Sequence, residues 1–382
     1  LNLSMLCLFK YFNFFSKSIS IIISYLGGTF SPTALQLIAP IGISFYTFTT
    51  IGYLVDVYRR DVCAEKNIID YSLFVSFFPH IMSGPIARAN SLLPQLKNPR
   101  AFKFENLTDG AQRFIYGLLK KAVVADWLAT FNNAILYKLH SENPLTILAA
   151  VLLFSLQLYF DFSGYCDMAL GCARMLGIDL IENFKAPYFS KSFSEIWSRW
   201  HISLTGWFRD YIYIPLGGNR KGLFRKMLNI AVVFLISGLW HGAAWGFIVW
   251  GLLHGALRII EDCFRAVCNK RDNQHTKMQG SFMSILKTGC VYFVWSLTFV
   301  FFRLDSVSES IYAITRCFAV SEFSARSLAA RGLAIMQANT VSSFEYIVAL
   351  LIIVALSALF VLVCEYKFIY KSTGKTSDRN TC

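Results

Sequence analysis

The chain has 382 residues, of which 55% are hydrophobic and only 15% are charged, and its mean hydropathy is +0.49. Soluble domains carry about a quarter charged residues, so the composition excludes an ordinary soluble protein and indicates an integral membrane protein. The net charge of +13 does not indicate nucleic acid, because the basic residues cluster between apolar runs, as in cytoplasmic loops beside lipid headgroups. An anionic substrate near one of these loops is the alternative reason for the charge.

Apolar runs long enough to cross a bilayer as helices predict an all-α, polytopic fold. The predicted helices cover roughly residues 3–26, 36–58, 68–83, 107–136, 145–178, 228–260, 283–303 and 344–366. Residues 1–366 are interpreted as one membrane domain and residues 367–382 as a polar, basic tail. Because the chain begins at Leu1 within an apolar run, we expect it to lack N-terminal helices. The scattered cysteines form no CxxC pair, which predicts reduced thiols.

The stretch FFPHIMSGPI (77–86) interrupts the third predicted helix with Pro79, Gly84 and Pro85. Backbone that breaks at membrane depth is tolerated only where protein or a water-filled cavity satisfies the freed polar groups. The stretch therefore predicts either the end of a helix or the wall of a cavity.

Two carboxylates lie in the apolar run LYFDFSGYCDMALG (158–171). Asp161 and Asp167 are six residues apart, so on a straight helix they point about 120° away from each other. This spacing argues against a dyad that shares one proton and predicts that each carboxylate pairs with a different neighbour. A structural polar contact is one interpretation, and the lining of a substrate path is the other.

Residues 189–215 have the pattern of an amphipathic helix that lies at the membrane interface or dips into the protein. Ser192 and Glu195 have the spacing of a capping box, Glu195 and Arg199 are placed to pair, and Pro215 marks the predicted end. His201 lies near the middle, where it is either incidental or functional. The turn LGGNRKG (216–222) is Gly-rich and basic, a composition suited to phosphate but weak as evidence by itself.

The stretch SGLWHGAAWG (237–246) places His241 beside glycines that recur every four residues. These glycines predict a close approach by another helix or by a slim ligand. A neutral imidazole in such a place predicts either a general base or a hydrogen bond between helices. A continuous helix would place His254 about 20 Å from His241 and on the opposite face, so His254 is interpreted as structural.

Other classes of site have no support in the sequence. No histidine pair has the spacing of metal ligands, and neither a G-x-S-x-G elbow nor a P-loop occurs. We therefore expect no metal site, and serine hydrolase and ATPase functions are excluded.

The motifs, taken together and in order from about Leu8 to Arg303, resemble the membrane-bound O-acyltransferases. The specific blocks are IWSRWHISLTGWFRDYIYIPLGGNRKG and SGLWHGAAWGFIVWGLLHG, and the resemblance is greatest to the bacterial branch that acetylates alginate or peptidoglycan. It implies about 8–10 transmembrane helices, plus interfacial or re-entrant helices, around a central tunnel. It also implies that the chain is one such acyltransferase domain, in a bacterial cytoplasmic (inner) membrane.

The resemblance implies a site and its substrates. His241 matches the family's essential histidine, and His201 matches a second histidine that lines the tunnel. The candidate substrate-binding residues are Arg199, Asn219, Arg220, Asp161 and Trp240. The implied co-substrate is acetyl-CoA or another acyl thioester, with no bound cofactor. The implied acceptor is a hydroxyl, and an extracytoplasmic acetyltransferase is the implied partner protein.

Three alternatives stay open. The branch that transfers D-alanyl groups to teichoic acids shares the RWHIS-type block, although its WHG region usually differs from WHGAAW. A transporter for a polar metabolite would use Asp161, Asp167 and the break at 77–86, but the chain shows no internal repeat. A catalytically inactive scaffold is the third alternative, and the presence of both histidines argues against it.

Overall fold

A computed structural model describes residues 2–32, 34–98, 100–269, 281–339, 355 and 358–364. Within these residues the secondary structure is helical, without strands. The main helices are α1 (Asn2–Tyr25), α2 (Ile43–Arg59), α3 (Ile68–Ser76), α4 (Ala89–Lys97), α5 (Phe104–Leu118), α6 (Asp126–Leu136), α7 (Pro144–Met175), α8 (Phe193–Arg199), α9 (Ile202–Phe208), α10 (Gly222–His241), α11 (Trp245–Asn269), α12 (Ser281–Thr298), α13 (Val300–Arg303), α14 (Val307–Cys317) and α15 (Ala325–Asn339).

Four helical segments of the described chain are long and apolar enough to cross a membrane. They are α1, α7, α10 and the segment Phe282–Arg303. The prediction of an all-α, polytopic membrane protein is therefore confirmed. Of the predicted helix at 344–366, only residues 355 and 358–364 are described, and the predicted tail at 367–382 lies outside the described residues.

The centre of the fold is a close antiparallel contact between α5 and α7. A Cβ atom on Gly117 would lie 2.5 Å from the carbonyl oxygen of Gly164, and one on Gly110 would lie 2.6 Å from that of Gly171. Only glycine permits such an approach of two backbones. The contact brings the π-helical turn Leu119–Ala125, which follows α5, against the middle of α7.

The chain after α3 does not continue as a helix. The helix predicted at 68–83 ends at Ser76, and turns and irregular backbone fill the stretch up to Ala89. The proline-rich break expected at 77–86 is confirmed.

Two long helices predicted from the sequence are each broken in two. The helix predicted at 228–260 ends at His241, passes through extended backbone at Gly242 and restarts at Trp245, so α10 and α11 form a hairpin. The helix predicted from Ser192 to Pro215 is interrupted because His201 takes a left-handed conformation, with φ 46° and ψ 53°. Both predictions of a continuous helix were wrong, and both breaks lie at a histidine.

Candidate functional site

A cavity of about 560 Å³ lies inside the helical bundle and collects four of the seven predicted site residues. Its walls include His241, His201, Asp161 and Trp240. Met82 and Ser83, from the break after α3, also line it. The stretch at 77–86 is therefore the wall of a cavity, which was one of its two predicted roles.

His241 is the last residue of α10 and is surrounded by aromatic rings. Its ring centroid lies 4.9 Å from Trp240, 5.0 Å from Trp250 and 4.9 Å from Phe302, each in an edge-on arrangement. In the described part of the chain, neither imidazole nitrogen of His241 has a hydrogen-bond partner. The aromatic rings therefore fix the position of the ring, while its nitrogens stay available to a substrate.

The C-terminal end of α10 is held by a π-helical turn of α1. Lys10 Nζ donates to the main-chain oxygen of Trp240 and, at 3.1 Å, to Ser44 Oγ. Tyr11 Oη donates at 2.6 Å to the main-chain oxygen of Leu239. These bonds satisfy carbonyl groups that the end of a helix leaves unpaired. Lys10 also lines the cavity. Lys10 is not among the site residues predicted from the sequence, although a lysine within an apolar run is a usable signal.

The hairpin of α10 and α11 brings Trp250 against His241. A Cβ atom on Gly238 would lie 2.4 Å from the oxygen of Phe247, and one on Gly251 would lie 2.3 Å from the oxygen of Phe234. The predicted glycine notch is therefore filled by the next helix of the chain, and the backbones pack closely on each other.

His254 lies behind Trp250 and not in the cavity. Its ring is 4.7 Å from Trp250, whose ring in turn is 5.0 Å from His241. The predicted separation of about 20 Å on an opposite face was wrong, because that estimate assumed one straight helix. His254 is fully buried and its Nε2 lies 2.8 Å from Thr298 Oγ1, so it joins α11 to α12.

His201 is held by the segment that follows α7. Its Nδ1 lies 3.2 Å from Asn183 Oδ1, and only 2% of the residue is exposed. The neighbouring main chain is also paired, because the N–H of Ile202 donates to the oxygen of Asn183 at 2.9 Å. These bonds support the left-handed conformation of His201, which a residue with a side chain adopts only at a cost.

The two carboxylates of α7 pair with different neighbours, as predicted. Asp161 accepts from Lys121 Nζ at 2.6 Å and lines the large cavity. Asp167 accepts from Lys120 Nζ at 2.9 Å and from Arg113 Nη2 at 2.9 Å. The π-helical turn after α5 thus directs two consecutive lysines to different carboxylates.

A second cavity, of about 270 Å³, lies on the other side of these pairs. Arg113, Lys120, Asp167, Cys166 and Asn183 line it. Asn183 is thus on its wall, while the His201 ring bonded to it lines the larger cavity. The hydrogen bond between these two side chains therefore joins the walls of the two cavities.

Three predicted substrate-binding residues are not brought to either cavity. Arg199 pairs with Glu195 at 2.7 Å, as expected from their spacing. Asn219 and Arg220 are exposed in the turn before α10.

His140 and His80, the remaining histidines in the part of the chain that the structure describes, take no part in the cavity. His140 is exposed and pairs with Glu309 at 3.0 Å, and His80 is buried in the turns after α3. Among the residues that the structure describes, no group of three His, Cys, Asp or Glu side chains has an arrangement suited to a metal ion.

Comparison with known proteins identifies relatives that are similar to this chain in sequence. The chain is 45% identical over 263 residues to a Pseudomonas putida protein named "Probable alginate O-acetylase", covering 68% of this chain and 53% of that protein. It is 35% identical over 336 residues to a peptidoglycan O-acetyltransferase of Helicobacter pylori, covering 81% and 62%. It is 31% identical over 235 residues to a teichoic acid D-alanyltransferase of Bacillus subtilis, covering 58% of each.

The chain spans about half the length of the alginate O-acetylases that it matches. Residues 64–304 contain the cavity wall built by α7, the break at His201 and the α10–α11 hairpin. The model of the membrane-bound O-acyltransferase family matches residues 64–304, which is more than half of the chain. The chain belongs to the membrane-bound O-acyltransferase family.

Proposed function

We propose that the protein is an O-acyltransferase that moves an acetyl group from a cytosolic thioester to a hydroxyl acceptor, for the O-acetylation of an extracytoplasmic polysaccharide. The observation that carries this proposal is the shared cavity of His241 and His201, enclosed by helices of a membrane protein. The donor is acetyl-CoA or another acyl thioester. The names of the relatives support the acetyl group and the polysaccharide.

In the proposed reaction His241 is the general base. Its open nitrogen takes the proton of the acceptor hydroxyl as the oxygen attacks the thioester carbonyl carbon. A carbon–oxygen bond forms, the carbon–sulfur bond breaks, and the leaving thiolate takes the proton back from His241. The products are the acetyl ester and the free thiol, and His241 is again neutral.

The tetrahedral intermediate carries a negative oxygen that needs a nearby donor or positive charge. The Lys10 ammonium lines the same cavity and supplies such a charge. His201 has two chemically possible roles, which are to orient the acceptor or to donate a hydrogen bond to this oxygen. Asp161 and Trp240 complete the polar and aromatic wall.

The proposal places the protein in a bacterial cytoplasmic membrane, with the donor on the inner side and the polymer outside. An extracytoplasmic acetyltransferase is the proposed partner, which receives the acetyl group or passes it to the polymer. D-alanyl transfer is the second candidate. The lower identity to the teichoic acid D-alanyltransferases, 30% and 31% against 43–46% for the alginate O-acetylases, favours acetyl.

The test is polymer acetylation in cells that lack the native gene and carry wild type, His241→Ala, His201→Ala or the control His140→Ala. Acetate released from the polymer by mild base is measured at matched membrane levels of protein. We expect His241→Ala to abolish acetylation, His201→Ala to reduce it strongly and His140→Ala to leave it unchanged. Normal acetylation with His241→Ala would overturn the proposal, and base-released D-alanine in place of acetate would favour the second candidate.

A further inference from the structure

The buried side chain of Asn183 lies 3.2 Å from Nδ1 of His201, and the role of this contact in the reaction rests on the proposed function. We propose that Asn183 is a positioning residue that holds neutral His201 with its hydrogen on Nδ1, so that Nε2 accepts a hydrogen bond from a substrate O–H or N–H group. His201 then orients the substrate and does not stabilise the oxyanion.

The orientation of the Asn183 amide follows from its partners. The main-chain N–H of Ser203 can only donate, and it lies 3.1 Å from one terminal atom of the Asn183 side chain. That atom must therefore be the oxygen, Oδ1, which only accepts. The other terminal atom, Nδ2, faces Cys166 Sγ at 3.3 Å, where a nitrogen is the better donor.

The neighbouring hydroxyl agrees with this assignment. Ser203 Oγ lies 2.9 Å from the same oxygen of Asn183 and 3.0 Å from the main-chain N–H of Ile86. The hydroxyl accepts from Ile86 and donates its hydrogen to Asn183. All three groups around Asn183 Oδ1, including His201, are therefore hydrogen-bond donors.

The tautomer of His201 follows directly. Its Nδ1 lies 3.2 Å from an atom that only accepts, so Nδ1 carries the hydrogen. A neutral imidazole has one N–H, so Nε2 has a lone pair and no hydrogen. A nitrogen without hydrogen cannot donate to an oxyanion, but it accepts from a substrate donor.

The rest of the site is consistent with this division of roles. The reacting hydroxyl has one proton, which goes to His241, so the group bound by His201 is a second O–H or an N–H of the substrates. The other charged or titratable groups that line the same cavity are Lys10, Lys121, Asp161, Tyr165 and His241. Among these, Lys10 is a donor for the oxyanion.

Asn183 is suited to positioning because its main chain is fixed as well. The main-chain oxygen of Asn183 accepts from the N–H of Ile202, and the main-chain N–H of Lys185 donates to the main-chain oxygen of Arg199 at 3.0 Å. The segment therefore runs beside the break that contains His201. Asn183 is 1% exposed, so water does not compete for its side chain.

The first experiment reads the tautomer itself. The full chain, labelled with 15N-histidine and reconstituted in lipid vesicles, is studied by solid-state NMR, and the His201 signals are identified by their loss in His201→Ala. We expect the spectrum of a neutral ring protonated at Nδ1. A ring protonated at Nε2 would overturn the proposal. This measurement does not depend on activity, so it is separate from a failure of the proposed function.

The second experiment tests the consequence for the reaction, by following thiol release from acetyl-CoA in vesicles as a function of pH. Asn183→Asp keeps an acceptor for Ser203 but adds a charge that stabilises protonated His201, whose Nε2 then donates. We expect acetyl transfer at neutral pH to be at least about tenfold slower than in wild type. The rate should recover as the pH rises and His201 loses its extra proton, so the acidic limb of the pH–rate profile shifts to higher pH.

The matched control is Asn132→Asp, which places a carboxylate at another buried asparagine, bonded to Gln157 at 2.7 Å and absent from both cavity walls. Its pH profile should follow that of wild type. A wild-type profile in Asn183→Asp, at full or reduced rate, contradicts the positioning role. No transfer by wild type at any pH contradicts the proposed function instead, and leaves the NMR result standing.

Discussion

His201 and His241 lie edge-on to the same indole ring, although 40 residues separate them in the chain. The ring centroid of Trp240 is 6.1 Å from His201 and 4.9 Å from His241. Trp240 therefore acts as a spacer between the two imidazoles. Its own position is fixed by Phe48, whose ring centroid lies 5.3 Å away, and by Phe45 at 5.5 Å.

Replacing the spacer should impair transfer without unfolding the protein. Trp240→Phe keeps an aromatic ring but shortens it, so the two histidines lose a common support. We expect acetyl transfer to fall by about tenfold, because small displacements of catalytic groups are costly. The control Trp245→Phe alters a half-exposed ring outside the cavity. Equal rates for the two variants would show that Trp240 does not set the spacing.

The charge of Lys10 should matter to the reaction. Lys10→Met removes the ammonium that lines the cavity and bonds to the end of α10, and we expect transfer to fall by at least about tenfold. Lys17→Met removes an exposed charge from the same helix and should have no effect. Thiol release from acetyl-CoA at matched protein levels is the measurement, and a fully active Lys10→Met protein would exclude this role.

The close contact of α10 with α11 should depend on Gly238. A methyl group there would lie 2.4 Å from a carbonyl oxygen, and overpacking of this kind costs about 1–3 kcal/mol. We expect Gly238→Ala to lower the melting temperature in detergent. Gly289→Ala is the control, because no atom lies within 4 Å of its added methyl group, and alanine in a helix is favoured by up to about 1 kcal/mol. An unchanged melting temperature for Gly238→Ala would show that α10 and α11 can move apart to accept the methyl group, so that the contact does not require glycine.

The buried carboxylate of α7 should be important for stability. The side chain of Asp167 is 12% exposed and that of its partner Lys120 is 4% exposed, so Asp167→Asn breaks a buried ion pair by removing one of its two charges. We expect a loss of about 3–5 kcal/mol in the free energy of unfolding. Asp179→Asn breaks an exposed pair with Arg174 and should cost less than about 1 kcal/mol. Unfolding in mixed micelles compares the two, and similar losses would mean that burial does not decide the effect.

The sequence allowed good predictions where one helix contains the whole pattern. The six-residue spacing of Asp161 and Asp167 correctly predicted that they would pair with different neighbours, because the periodicity of a helix fixes their directions. The i, i+4 pair of Glu195 and Arg199 was predicted for the same reason. The resemblance and the structure agree in placing His201 and His241 at one cavity.

Predictions were wrong where the chain reverses within an apolar run. His254 was placed far from His241 because no proline interrupts residues 228–260, yet extended backbone at Gly242 folds the run into a hairpin. Arg199, Asn219 and Arg220 share a motif with His201 but do not line its cavity, so their role in substrate binding stays a prediction.

Composition and periodicity by themselves determined that this is a helical membrane protein with carboxylates inside one of its helices, because the hydrophobic effect and helical geometry act on neighbours in sequence. The tertiary structure alone decided that α1 holds the end of α10, that Trp240 separates two histidines, and that the side chain of Asn183 lies against Nδ1 of one of them. Each of these relationships joins residues from different parts of the chain. Hydrogen bonds and ring contacts depend on distances in space, which a pattern along the sequence does not contain.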